Sequence, residues 1–111
     1  MKSCSLVDRE CVPCRGGIPP LRGEALGALL EQLGNGWRLV EEHHLEKEFA
    51  FPDFRAALAF VNRVAEEAER QNHHPEITFT WGRVVIRIYT HKIGGLTEND
   101  FILSARVDKL V

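Results

Sequence analysis

The chain has no cysteine beyond position 14, only one methionine and one tyrosine, and no apolar run that approaches a membrane span. Crossing a bilayer takes about 20 consecutive apolar residues, so no transmembrane segment is expected. Cys4, Cys11 and Cys14 are odd in number and confined to the first fourteen residues. That pattern excludes a disulfide framework as the main source of stability. A polybasic run is also missing, and the formal net charge is -2, which removes a general electrostatic case for nucleic-acid binding. The opening residues, Met1 to Glu10, reach charge before an apolar signal core can form, and their mixed charge is unlike an Arg-rich transit peptide. The cytoplasm is therefore the expected compartment. The local alternation of acid and base suits a small-molecule or protein partner and selects neither.

What is present is enough for one compact domain. A chain of 111 residues buries roughly two-thirds of its unfolded surface and can build a core without metal or disulfides. Residues 1–22 carry the cysteines, Gly16-Gly17 and Pro19-Pro20, and read as an irregular arm laid on the surface or partly mobile. Residues 23–111 read as a single domain.

Within it, Leu26, Leu29, Leu30 and Leu33 recur at helical spacing until Gly34-Asn35-Gly36, which predicts a helix over 24–33. Two strands follow, Trp37 to Val40 and Leu45 to Phe51, joined by a loop at Glu41-Glu42-His43-His44. Asp53 is placed to cap the strongest helix, whose apolar stripe is Phe54, Ala57, Leu58, Val61, Ala65 and Ala68. Its water-facing side is Arg63, Glu66, Glu67 and Arg70. Pro75 ends it near Asn72. Ile77 to Trp81 and Val84 to His91 alternate as strands about a Gly82-Arg83 turn. Thr97 or Asn99 caps a last helix. Hairpins rather than crossovers join the strands, so the fold class is α+β, a four-stranded antiparallel sheet with three helices on one face.

The chemistry concentrates between Glu69 and Asp100. His73-His74-Pro75 follows the long helix directly, His91 ends the last strand and Asp100 opens the final helix. Histidine exchanges protons near neutrality, and these segment ends are expected to converge on one concave site. A His pair at a helix end also serves simply to bond terminal carbonyls and to favour the negative end of the dipole. The pair at His43-His44, in a loop with no supporting constellation, shows how little such a pair establishes.

The spacing Glu69-x3-His73-His74-Pro75, with Trp81, His91 and Asp100 after gaps of five, nine and eight residues, resembles the signature of the pterin-4a-carbinolamine dehydratases. The likeness extends loosely from Pro20 to Asp108, including Gly36-Trp37 and Phe51-x-Asp53-Phe54. It implies a hydro-lyase acting on a small-molecule pterin and assembled as a homodimer or homotetramer, with no direct nucleic-acid or membrane contact. The pterin recycled would be the cofactor of an aromatic amino acid hydroxylase. It also implies acid/base roles for His73 and His91, with His74 holding the pterin. Glu69, Asn72, Pro75, Tyr89, Thr90, Trp37 and Asp100 are the accompanying binding candidates.

The chemistry asks for no metal or organic cofactor: an imidazolium protonates the leaving hydroxyl, and a neutral imidazole or water takes the ring-nitrogen proton. Some relatives carry Asp before the His pair and Ser-Thr-His-Glu at the strand end. Here those positions are Asn72 and Tyr89-Thr90-His91-Lys92, a changed pocket rim. Animal relatives also stabilise dimers of a homeodomain transcription factor, so a non-catalytic scaffold on the same fold is the alternative. Cys11-x-x-Cys14 is half a zinc site, with Cys4 at an unusual spacing for a third ligand; the other reading is an arm of free thiols. Trp37 and Trp81 are open both to stacking on a pterin and to packing within the protein.

Overall fold

The computed structural model describes Leu6 and residues 19–111. The elements run α1 (Glu24–Leu33), β1 (Arg38–Val40), β2 (His44–Ala50), α2 (Phe54–Gln71), β3 (Glu76–Thr80), β4 (Arg83–Ile88) and α3 (Glu98–Asp108). The strands form one antiparallel sheet in the order β1-β2-β4-β3. The expected α+β architecture is thus the one observed. The thiols of Cys4, Cys11 and Cys14, and most of the expected arm, lie outside the described residues. Leu6 is buried in the core, and the Leu21 amide donates to the Leu96 carbonyl at 2.8 Å.

Local chemistry sets the helix ends. The Asp53 carboxylate accepts from the Ala56 amide at 2.8 Å, which starts α2. Asn72 closes it in the left-handed region, φ 53°, with its amide turned back to Ala68 and Glu69. Asn tolerates that conformation better than most residues. The chain therefore reverses sharply, and His73 leaves the helix with its own amide bonded to Ala68.

Strand register decides the two faces of the sheet. Leu45 pairs with Ile88, Lys47 with Ile86 and Phe49 with Val84, while Ile77 and Phe79 continue the same rows on β3. This inner face joins residues of all three helices in one cluster around Phe60, Val64, Phe101 and Leu103. Lys47 also points inward. It is held by Asp108 at 2.8 Å and lies 4.8 Å from the Phe49 ring centroid. The outer face carries a ladder of alternating charge in which Arg38 pairs with Glu46, Glu46 with Arg87 and Arg87 with Glu76. Opposite charges directly across strands reinforce the pairing.

Several expectations change. The buried stripe of α2 is Ala57, Phe60, Val64, Glu67, Ala68 and Gln71, whereas Phe54 and Leu58 stay exposed at 47% and 40%. The helix bears two adjoining apolar stripes, and the one containing Phe60 faces the sheet, where its ring packs on Phe49 and Phe51. Glu67, expected in water, is buried because Arg70, Gln71 and Arg106 all donate to it. The β3–β4 turn is Trp81-Gly82 rather than Gly82-Arg83, since Arg83 pairs with Thr80. Gly82 is needed for close approach: its carbonyl accepts from Phe51, and a Cβ there would stand 2.7 Å from the Phe51 oxygen. His44 belongs to β2 rather than the loop, and β4 stops at Ile88, before His91.

Removing the Phe60 ring should cost ~3–5 kcal/mol through cavity formation. Asp53→Ala should cost only ~0.5–2 kcal/mol through loss of the cap. Urea unfolding of both variants checks the order, and a Phe60→Ala variant as stable as Asp53→Ala would contradict the core described.

Candidate functional site

Four segment ends supply the candidate residues: the α2 terminus, the corner 72–75, the turn after β4 and the start of α3. Asp100 joins them. It is fully buried, and its Oδ1 lies 2.6 Å from Nε2 of His73. Its other oxygen accepts from the Thr90 hydroxyl at 2.8 Å and the Thr97 amide at 2.7 Å. A buried carboxylate is costly unless satisfied in this way, and the N-terminus of α3 adds a favourable dipole. With Nε2–H donated to Asp100, Nδ1 of His73 remains for exchange with a bound molecule.

His74 is half exposed, and its Nε2 lies 2.6 Å from Glu69 Oε2 across the same corner. Asn72 and Pro75 shape this corner. His91 is exposed in the tight turn closed by the Thr90–Gly95 bridge, with its ring stacked on Tyr89 at 4.3 Å and 27°. Strand alternation places Thr90 on the inner side with Asp100, and sends Tyr89 and His91 to the outer side.

The structure thus links His73, Thr90 and Asp100 directly, His74 with Glu69, and His91 with Tyr89. Asp100 and Thr90 are buried, so their reach to a bound molecule runs through His73. Trp37 is not brought to this set. Its indole donates to Asp108 at 3.0 Å and its ring packs edge-on against Phe49. Asp108 is eight residues along α3 from Asp100, about 12 Å at the helical rise. Trp81 is 64% exposed at the hairpin turn.

Two features were missed. The sequence marks Thr97 as a cap, and the capping box it forms also ties its amide to the central carboxylate. His43 was given no constellation, yet its ring lies 4.5 Å from Tyr89 and its Nδ1 lies 3.0 Å from that of His44. Extending the β2–β4 register beyond Leu45↔Ile88 sets His44 opposite Tyr89, a signal available only once the strands are paired.

Burial, then the charge of Arg87 and neighbouring His43, hold the His44 imidazole below its ordinary pKa of 6.5, against the pull of Glu46. Burial pushes Glu67 up, but hydrogen bonds from Arg70 and Gln71, with the charges of Arg70 and Arg106, bring it below its ordinary 4.5.

The matched family model is that of the pterin 4 alpha carbinolamine dehydratases, over residues 19–110. The chain belongs to this family. A Rubrobacter xylanophilus protein named "Putative pterin-4-alpha-carbinolamine dehydratase" is 60% identical over 105 residues, covering 95% of this chain and 97% of that protein. A Rickettsia bellii protein of the same name is 48% identical over 108 residues, covering 97% and 96%. Among solved structures, a transcriptional coactivator/pterin dehydratase from Brucella melitensis superposes with a TM-score of 0.76 at 29% identity, covering 82% of this chain and 97% of that one. A pterin dehydratase-like protein described as a RuBisCO assembly factor in the alpha-carboxysome gives 0.60 at 29% identity, covering 70% and 92%.

Because His44 takes up its proton later in the folded state than in the unfolded one, its contribution to stability is complete above pH 6.5 and is lost as pH falls below that value. The matching loss from Glu67 begins only below 4.5. Stability of His44→Gln, measured by urea unfolding from neutrality to about pH 5, should therefore decline less than that of the wild type. An equal decline in both would remove His44 as the source.

Proposed function

We propose that the chain dehydrates a 4a-hydroxytetrahydropterin to the quinonoid dihydropterin and water, recycling the cofactor of an aromatic amino acid hydroxylase. The observation that carries this reading is the His73–Asp100 pair at the helix-end His-His-Pro step of a chain matched to the dehydratase family over residues 19–110. The names of the close relatives support the same substrate class.

The carbon bearing the hydroxyl is bonded to ring nitrogen N5. Loss of hydroxide is unfavourable, so an imidazolium from His73 or His91 donates to the leaving oxygen as the carbon–oxygen bond breaks. The N5 proton passes to a neutral imidazole or water, and the nitrogen lone pair forms the carbon–nitrogen double bond. His73 suits this role because its hydrogen bond to Asp100 fixes the ring. His74, held by Glu69 on the exposed rim, binds the pterin, with Asn72, Pro75 and Tyr89 lining the approach. Thr90 acts from behind through Asp100.

A second reading is a non-catalytic scaffold. The description of one structural neighbour as a coactivator and of another as an assembly factor supports it. Self-association into a dimer or tetramer is part of either reading, and the exposed Phe54, Leu58 and Trp81 favour it.

Turnover of freshly generated carbinolamine, followed by ultraviolet absorbance, distinguishes enzyme from scaffold. His73→Ala and His91→Ala should each lower kcat, by up to ~10²–10⁴-fold, with little change in KM. The loss is smaller if each histidine can substitute for the other on opposite faces of the ring. His74→Ala should raise KM more than it lowers kcat. A folded His73→Ala, His91→Ala double variant that still dehydrates at near the wild-type rate would sink the mechanism. Light scattering on the purified chain tests the assembly, and a monomer at all accessible concentrations contradicts it.

A further inference from the structure

The three candidate imidazoles are held differently. His73 and His74 each meet a carboxylate at 2.6 Å. Among the described residues, the ring of His91 has no hydrogen-bond partner, and its aromatic contact is the face of Tyr89, 4.3 Å away. An exposed imidazole on a turn samples several side-chain rotamers, and a proton donor that does so is seldom aligned with its acceptor.

Tyr89 is itself held. His43, from the β1–β2 turn, contacts the phenol ring at 4.5 Å and 41°, and Glu76 lies 3.5 Å from the hydroxyl. The position of His43 is fixed in turn by His44. Their Nδ1 atoms are 3.0 Å apart, so one carries hydrogen and the other accepts. Nε2 of His44 is buried, has no hydrogen-bond partner among the described residues and stands 3.6 Å from Glu46 Oε1. Placing the His44 hydrogen on Nε2 directs it at that carboxylate and leaves Nδ1 to accept from His43. Glu46 is anchored from both sides by Arg38 at 2.6 Å and Arg87 at 3.0 Å.

We propose that Tyr89 and His43 are positioning residues for His91: the ring stack His43–Tyr89–His91, anchored on the outer-face charge ladder, holds the His91 imidazole in the plane from which it moves a proton. This rests on the assignment of His91 as a proton-transferring group. A face contact suits that task, because it fixes the plane of the ring while leaving both nitrogens free to exchange with the substrate. His43, which does not touch the carboxylate-held pair, thereby becomes part of the machinery.

The test combines kinetics with a signature that needs no turnover. Stacking on a phenol shifts the His91 ring protons upfield in the nuclear magnetic resonance spectrum. That shift should be present in the wild type, lost in Tyr89→Leu, retained in Tyr89→Phe and reduced in His43→Ala. In carbinolamine turnover, Tyr89→Leu should lower kcat by ~10-fold or more, up to the ~10²-fold that misplacing a reacting group can cost, with a smaller change in KM. Tyr89→Phe should recover most of that loss. His43→Ala should lower kcat by less, and His43→Phe should restore it, which a role for His43 in proton transfer would not allow. An active wild type whose Tyr89→Leu variant keeps both the ring shift and kcat, or raises KM alone, overturns this inference and leaves the proposed function standing. An inactive wild type overturns the function itself and the role given to the stack, even where the ring shift persists.

Discussion

The buried carboxylate of Asp100 is the interaction on which the site's geometry depends. Removing a carboxylate from water costs several kcal/mol unless donors replace the lost hydration, and here the donors come from different parts of the chain. Thr90 arrives from the end of β4, the Thr97 amide from the N-cap of α3 and His73 from the reversal after α2. Ser104 bonds the Asp100 carbonyl from the next turn of α3. Ile88, Leu96 and Phe101 are buried on the same segments, so apolar packing brings the segments together and the carboxylate fixes how their ends meet. The group that orients His73 is therefore also the group that joins three secondary-structure junctions.

The sheet then divides the chemistry between its faces. Because strand side chains alternate, the step from Thr90 to His91 crosses from the apolar side, where Asp100 lies, to the charged side, where Glu46 and Arg87 lie. One imidazole is governed by a buried carboxylate and the other by a stack resting on an exposed ladder. A site built in this way draws rigidity from the core on one side and from cross-strand electrostatics on the other, and only the second is sensitive to salt.

Much of this was legible in the sequence. α1 was placed residue for residue, because its leucines and the following glycines leave no competing pattern. The Asp53 cap and the break after Gln71 were equally clear, since both rest on local backbone chemistry. The buried stripe of α2 was not. Phe54 and Leu58 are as apolar as the residues that are buried, and only the positions of Phe49 on β2 and Phe51 just after it decide for Phe60. Glu67 was misplaced for a related reason: its burial depends on Arg106, thirty-nine residues away. Of the candidate site, His73, His74, His91 and Asp100 stood out through the spacing that carries the family resemblance, and the structure links His73 to Asp100 directly. The part played by His43 did not stand out, because it follows from a pairing of β2 with β4 that periodicity alone does not provide.

Lys47 has a consequence for how the sheet finds its alignment. A slip of β2 against β4 by one residue would turn the apolar side chains to water, and so is forbidden by hydrophobicity. A slip by two residues would not be. It would keep Leu45 and Phe49 inward and preserve most ladder bonds. It would separate Glu46 from Arg87 on the outer face, and on the inner face it would move the ammonium away from Asp108 and set it against Val84 or Ile88. Lys47 and Asp108 are largely shielded from water, so separating them disfavours the shifted pairing, by less than the ~3–5 kcal/mol lost when a fully buried pair is broken. A single cation on the oily face thus serves as an alignment key, and its contribution is better measured by the misfolded sheets it excludes than by the stability it adds to the correct one.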